Sequence, residues 1–118
     1  MRLEGDGCRL RIYLGELDKH GHQPLYEAIV LKARELGLAG ATVLRGPMGF
    51  GAASRMHTAK ILRLSDDLPV VVDLVDTTDK INAFLPVLDQ MMAGGLVTTE
   101  PVHIVRYRPA DRASSVKT

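Results

Sequence analysis

The chain has 118 residues, of which 46% are hydrophobic and 25% charged, which suits one folded domain with one core. The formal net charge is +1 and both signs are mixed along the chain, which argues against a DNA or RNA partner. No apolar run reaches the roughly 18 residues of a membrane span, and the single Cys8 excludes an intrachain disulfide, so we expect a cytoplasmic protein.

The first half of the chain has the pattern of a strand, a helix and a second strand. Apolar and polar residues alternate over 8–15, which predicts a half-buried strand. After a polar connection, Pro24 suits the first turn of a helix, and Gly37 supplies its stop. A short second strand is predicted over 41–44. The apolar residues at helical spacing are Leu25, Ala28, Ile29, Ala33 and Leu36.

The second half repeats this plan. Residues 69–75 predict a strand rich in valine, and Asp76 and Thr77 are candidate N-caps of a second helix. Residues 94–95, both glycine, end that helix, and alternation over 102–107 predicts a last strand. The apolar stripe of this helix comprises Ile81, Phe84, Leu85, Leu88 and Met92.

Two such units in tandem predict an α+β fold of the ferredoxin-like, split β-α-β type. It would have a four-stranded antiparallel sheet with two helices on one face. We assign 1–107 to one domain with a loop insertion at about 48–68, and 108–118 to a flexible tail. The other sheet face has no cover, so we expect self-association through it. The residues predicted on that face are Arg11, Tyr13, His103 and Val105.

The stretch over 45–58 is rich in glycine, carries spaced basic residues and has no regular period. A flexible basic segment between rigid elements commonly carries binding residues. Backbone N–H groups beside glycines approach anions closely, and arginine adds charge-assisted hydrogen bonds. A mobile hairpin with solvated charges is the alternative. The predicted ligand-binding residues are Gly49, Gly51, Arg55 and Lys60, with Arg45 and Arg106 as second choices.

Neither a catalytic centre nor a metal site is predicted. Ser54, Ser65 and Cys8 have no nucleophile motif around them, so the chain is interpreted as a protein without enzyme activity. His20 and His22 share one loop, but a zinc site needs three or four converging ligands. No cofactor is assigned, and a nucleotide is a candidate ligand. A small ferredoxin-like isomerase or oxygenase with a closed apolar pocket is a further alternative.

Several multi-residue blocks occur in one order along the chain, namely 11–16, 24–29, 37–46, 48–51 and 57–65. With these blocks the chain, over about residues 8–107, resembles the bacterial and archaeal domain-of-unknown-function family 190, which is similar to the PII signal-transduction proteins. That resemblance implies a homotrimer with small-molecule sites in clefts between subunits. It also implies a T-loop after the second strand that docks on partner proteins, with a membrane transporter or channel as the kind of partner.

Position by position, 49–51 resembles the Gly-Phe-Gly that opens the PII T-loop, so 52–68 would form that loop. The basic pair near the PII C-terminus is echoed by Arg106 and Arg108. PII proteins that hold adenine nucleotides have a Gly-Asp-Gly-Lys run, whereas 98–101 here is Thr-Thr-Glu-Pro. A carboxylate and a proline without N–H are poor partners for phosphate.

Two classes of function follow. The first is a PII-like regulatory trimer that binds a small anionic ligand, with an adenine nucleotide as candidate, and docks a partner through its loop. The alternative is a metal-binding stress-tolerance trimer, which resembles the divalent-cation tolerance proteins. This alternative needs histidine and cysteine side chains to converge at a subunit boundary.

Overall fold

The computed structural model describes residues 3–51, 57–58 and 67–110. The strands are β1 (Gly5–Gly15), β2 (Lys19–His20), β3 (Gln23–Pro24), β4 (Ala41–Arg45), β5 (Met48–Gly49), β6 (His57–Thr58), β7 (Pro69–Asp76) and β8 (Leu96–Ile104). The helices are α1 (Leu25–Glu35) and α2 (Thr78–Met91). Within these described parts, neither helix has the length and apolar character needed to cross a bilayer.

The main sheet has four antiparallel strands in the order β4-β7-β1-β8. Two short hairpins accompany it, one formed by β2 with β3 and the other by β5 with β6. Strand β1 lies in the middle because each helix carries the chain across to a non-neighbouring strand. The predicted α+β fold with a split β-α-β sheet and two helices is confirmed.

The core lies between the helices and one face of the sheet. Alternate residues of β1 and β7 point into it, which accounts for the period of two in the sequence. The apolar stripes of the two helices close it from the other side. The most deeply buried of these side chains are Leu10, Ile12, Ile29, Val72, Leu74, Ile81 and Phe84.

The helix boundaries follow their local chemistry. Pro24 precedes the first turn of α1, where a missing N–H costs little. Thr77 is the N-cap of α2, and its hydroxyl accepts the Lys80 N–H at 3.3 Å. Asp76, the other predicted cap, is instead the last residue of β7 and is fully buried.

The last strand differs from its prediction. It was expected over 102–107 but covers Leu96–Ile104, so the sequence 98–101 is strand and not loop. Gly95 turns the chain into this strand with a φ of 108°. Pro101 is tolerated because β8 is an edge strand. The prediction of the start of this strand was wrong because residues 98–100 are polar. An exposed edge strand does not need alternating apolar and polar residues.

The uncovered sheet face is organised in three rows that follow the strand register. The first row is apolar, the second is polar with an ion pair at its centre, and the third carries a second ion pair. The rows are Leu44–Val71–Tyr13–Leu96, then Thr42–Asp73–Arg11–Thr98, then Val75–Arg9–Glu100.

Of the residues predicted on this face, Arg11 and Tyr13 lie on it. His103 lies opposite Asp6 and is therefore out of phase with Arg11, and Val105 follows the end of β8. The short strand or hairpin arm predicted over 59–64 lies outside the described residues. In the predicted tail, 108–110 has no helix or strand, and 111–118 is outside the described part.

Candidate functional site

A cleft of about 700 Å³ opens on the uncovered face, where β7 and β8 end and β4 begins. Its volume lies within the range of small-molecule sites. One wall is the connection from α1 into β4, and the opposite wall is the end of β8 with the three residues that follow. The floor comes from side chains of β1 and β7. The lining comprises Leu3, Arg9, 39–42, Asp73, Val75 and 102–107.

The wall formed by the connection from α1 to β4 is held in place by two side chains. The buried Asp76 carboxylate accepts the Ala39 N–H at 2.9 Å with one oxygen and the Thr77 N–H at 2.6 Å with the other. Lys80 donates from Nζ to the Gly37 carbonyl at 2.8 Å. A buried carboxylate bonded in this way fixes the backbone around it, so the wall is preorganised.

Three basic residues are part of the lining of the cleft. Arg9 Nε lies 3.0 Å from a Glu100 oxygen, but off the N–H direction, so the pair is ionic without a hydrogen bond. His103 Nδ1 lies 3.8 Å from an Asp6 oxygen. Arg106 has no carboxylate within 4.0 Å among the residues that the structure describes. The guanidinium of Arg106 is therefore available to an anion in the cleft.

The acidic residue in the lining, Asp73, is already neutralised. Its two oxygens accept hydrogen bonds from Arg11 Nε at 2.8 Å and from Arg11 Nη2 at 2.9 Å. These bonds lower the pKa of Asp73 and raise the pKa of Arg11. Because Asp73 brings no net negative charge, the cleft favours an anionic ligand.

Of the predicted ligand residues that the structure describes, Arg106 is the one that lines this cleft. Arg45 ends β4 at the opposite end of that strand and is ion-paired with Glu16. Gly49 belongs to β5, and Gly51 follows it in an open position. Arg55 and Lys60 lie outside the described residues. Of the described candidates, Arg45, Gly49 and Gly51 are therefore not brought together with Arg106 in this cleft.

Arg45 lies instead at the base of the insertion. There the two ends of the insertion lie close to the turn after β1. The Gly46 N–H donates to the Pro69 carbonyl at 2.7 Å, and the Leu17 N–H donates to the Asp67 carboxylate at 2.7 Å. A side chain on Gly15 would displace that carboxylate, so glycine leaves room for the contact. These contacts fix where the insertion leaves and rejoins the sheet.

Sequence reasoning missed Arg9, Ala39 and Tyr107 as lining residues of the cleft. These residues lie far apart in the chain and meet only because of the strand order. One signal was available: the connection from the first helix to the second strand contains the small residues Gly37, Ala39, Gly40 and Ala41. Small residues at such a connection let a ligand approach the backbone.

Other places in the molecule fit a ligand less well. A depression of about 650 Å³ lies beside the end of α2 and the residues 93–97. Among the described residues that line it, Asp89 is the one charged group, which does not favour an anion. His20 and His22 lie in the β2–β3 hairpin region, and no three potential metal ligands converge anywhere in the described part of the chain.

Comparison with solved structures defines the fold as that of the PII-like proteins. CPII, a nitrogen regulatory PII-like protein from Thiomonas intermedia K12 solved with ADP, AMP and bicarbonate, is similar with a TM-score of 0.58. The identity is 16%, and the match covers 88% of this chain and 91% of that one. CPII bound to ADP and bicarbonate matches with a TM-score of 0.52 over the same shares.

The chain belongs to the DUF190 family, described as Uncharacterized ACR, whose model matches residues 7–104. The UPF0166 protein of Aquifex aeolicus (strain VF5) is 35% identical over 96 residues, which is 81% of this chain and 90% of that protein. The UPF0166 protein MJ1524 of Methanocaldococcus jannaschii is 35% identical over 98 residues, which is 82% of this chain and 90% of that protein. The family resemblance seen in the sequence blocks is thus confirmed.

Proposed function

We propose that this protein is a PII-like regulatory protein that binds a small anionic ligand of the nucleotide class in the cleft beside Arg106. The observation that carries the proposal is the position of Arg106, which lines a cleft with a fixed backbone wall and has no described carboxylate partner. CPII, which shares the fold, binds ADP, AMP and bicarbonate. All three of those ligands are anions.

The ligand would use groups that the cleft already presents. Arg106 supplies a planar fork that matches phosphate or carboxylate oxygens in two bonds. Arg9 also lines the cleft and adds positive charge, which its ion pair with Glu100 partly offsets. Backbone along 39–42 offers a narrow wall against which a flat base can pack. No catalytic group, metal or cofactor is part of this proposal.

We further propose a homotrimer that associates through the uncovered sheet face. The row formed by Leu44, Val71, Tyr13 and Leu96 is an apolar band on that face, and three of these side chains are more than a third exposed in the single chain. Contiguous exposed apolar surface of this kind marks an interface. Association would also place the cleft next to a neighbouring subunit.

The insertion at about 48–68 is proposed to dock a partner protein, with a membrane transporter as the partner class that the family resemblance implies. The contacts at the base of the insertion support this proposal, because they fix the two points at which the insertion joins the sheet. Ligand binding would shift the balance between states of this segment only through different affinity for those states.

A thermal-shift panel tests the proposed function. The purified protein is heated with adenine and guanine nucleotides, cyclic nucleotides, cyclic dinucleotides, bicarbonate and divalent metals, because a ligand that binds only the folded state raises its apparent stability. A shift with one or more nucleotides that disappears in Arg106→Ala supports the proposal, with Arg34→Ala on α1 as the charge-matched control. A shift with metal ions alone would favour the metal-binding alternative.

A further inference from the structure

The three residues after β8 are tied to two other parts of the molecule through Tyr107. The Leu3 N–H donates to the Tyr107 carbonyl at 2.9 Å, and the Tyr107 hydroxyl donates to the Ala39 carbonyl. Ala39 precedes β4, which is the edge of the sheet opposite to β8. A single side chain thus joins the segment 105–107 to the far wall of the cleft.

Ala39, whose carbonyl accepts the Tyr107 hydrogen bond, is itself restrained. The Ala39 N–H is held by the buried Asp76 carboxylate, so both polar groups of this residue are bonded. Val105 is 81% exposed and gives the segment little apolar packing, whereas the Tyr107 side chain is 38% exposed and therefore partly buried. Among the described residues, the two hydrogen bonds of Tyr107 add directional restraints on 105–107 to the packing of that ring.

We infer that Tyr107 is a positioning residue for the ligand site, since it holds the segment that carries Arg106 against the cleft. This inference rests on the proposed function. Arg106 immediately precedes Tyr107 in the chain, so any movement of the Tyr107 backbone displaces the Arg106 guanidinium. With the hydroxyl bonded to Ala39, the backbone of Arg106 is restrained before a ligand arrives, and less conformational freedom is lost on binding.

The substitution Tyr107→Phe removes the hydroxyl and keeps the ring. ADP is the probe, titrated calorimetrically into the full-length protein. Loss of one hydrogen bond that organises a site is expected to weaken ADP binding by about three- to tenfold, with the melting temperature nearly unchanged. Tyr26→Phe on α1 is the matched control, because the Tyr26 hydroxyl makes no hydrogen bond among the described residues, and it should bind as wild type.

A double-mutant cycle separates positioning from general structural support. If Tyr107 acts through Arg106, then Tyr107→Phe should cause no further loss of ADP affinity in an Arg106→Ala background. Additive losses in the double variant, or wild-type ADP affinity in Tyr107→Phe, would overturn the inference.

Hydrogen exchange at the Leu3 amide provides a readout that needs no ligand. In Tyr107→Phe this amide should exchange faster, by a factor similar to the expected loss of ADP affinity. The reason is that the segment that accepts the Leu3 hydrogen bond is released. Unchanged exchange would show that the hydroxyl does not restrain the segment and would overturn the inference even if ADP binds. Failure of the wild-type protein to bind ADP would overturn the proposed function and the role of Tyr107 in it, while Leu3 exchange would still report on the restraint.

Discussion

Arg11 and Asp73 lie opposite each other on the two central strands of the uncovered sheet face and are joined by two hydrogen bonds of 2.8 and 2.9 Å. The pair occupies the polar row next to the apolar row that contains Tyr13. Since each charge satisfies the other, a neighbouring subunit can cover this row without leaving an unpaired ion. The pair also removes the negative charge of Asp73 from the cleft.

This ion pair predicts a specific pH dependence of stability. The pKa of Asp73 is lowered in the folded state, so its contribution is present above the ordinary aspartate value of about 3.9 and is lost as the pH falls through the lower folded-state value. Melting temperatures are compared between Asp73→Asn and wild type from about pH 6 down to about pH 2. The advantage of the wild type should be constant near pH 6 and shrink below about pH 4.

The control for that measurement is Asp89→Asn, which changes an exposed carboxylate of α2 that has no ion pair among the described residues. This variant also loses one carboxylate, so it gives the effect of that loss without an Arg11 partner, and Asp73→Asn should be the less stable of the two near pH 6. If Asp73→Asn runs parallel to the wild type down to the lowest pH, Asp73 is not stabilised by Arg11.

The apolar row on the uncovered face predicts the oligomeric state. The wild-type protein should have a native mass near three times the chain mass of 12.9 kDa. Tyr13→Asp introduces a charge into the middle of the apolar row and should produce a folded monomer in light-scattering measurements. Leu31→Asp, on an exposed position of α1, should leave the trimer intact. A wild-type monomer would contradict association through the sheet.

The base of the insertion predicts a preference for glycine at position 15. In Gly15→Ala the new methyl group would displace the Asp67 carboxylate from the Leu17 N–H, so the free energy of unfolding should fall by about 1–3 kcal/mol. Gly94→Ala is the control, because a methyl group there meets no atom within 4 Å. Equal effects of the two changes in urea denaturation would show that the Asp67 contact contributes nothing.

The predicted binding residues of the insertion can be tested by the double change Arg55→Ala with Lys60→Ala. If both contact the ligand, ADP affinity should fall while the melting temperature changes little, since both are predicted from the sequence to lie on an exposed loop. A loss of stability that matches the loss of binding would show that these residues are structural. Wild-type affinity would leave Arg106 as the principal anion contact among the predicted residues.

The sequence allowed the helices, the first three strands of the sheet and the family to be predicted, because alternation and helical spacing report burial directly. Residues such as Leu10 and Phe84 recur with the period of their element and are buried as expected. The start of β8 was missed because Glu100 and its neighbours are polar. Glu100 belongs to a strand because it pairs with Arg9 on β1, which is a long-range contact.

The cleft could not be predicted because it too depends on long-range contacts. Arg9, Ala39 and Arg106 are far apart in the chain, and the strand order brings them to one end of the sheet. Arg45 had the residue type expected for an anion site, but its charge is matched by Glu16. Local composition identifies basic residues, whereas the fold decides which of them remain available.

The central claim is that the cleft beside Arg106 binds a small anion of the nucleotide class, and calorimetric titration of ADP into the wild-type protein and Arg106→Ala tests it most directly. We expect saturable binding by the wild type and a loss of about tenfold or more in Arg106→Ala, as charge-assisted bonds to a phosphate contribute strongly. Both proteins should have similar melting temperatures without ligand, since Arg106 is exposed. Equal ADP affinity of the two proteins, or no binding of ADP, AMP or bicarbonate by the wild type, would contradict the claim.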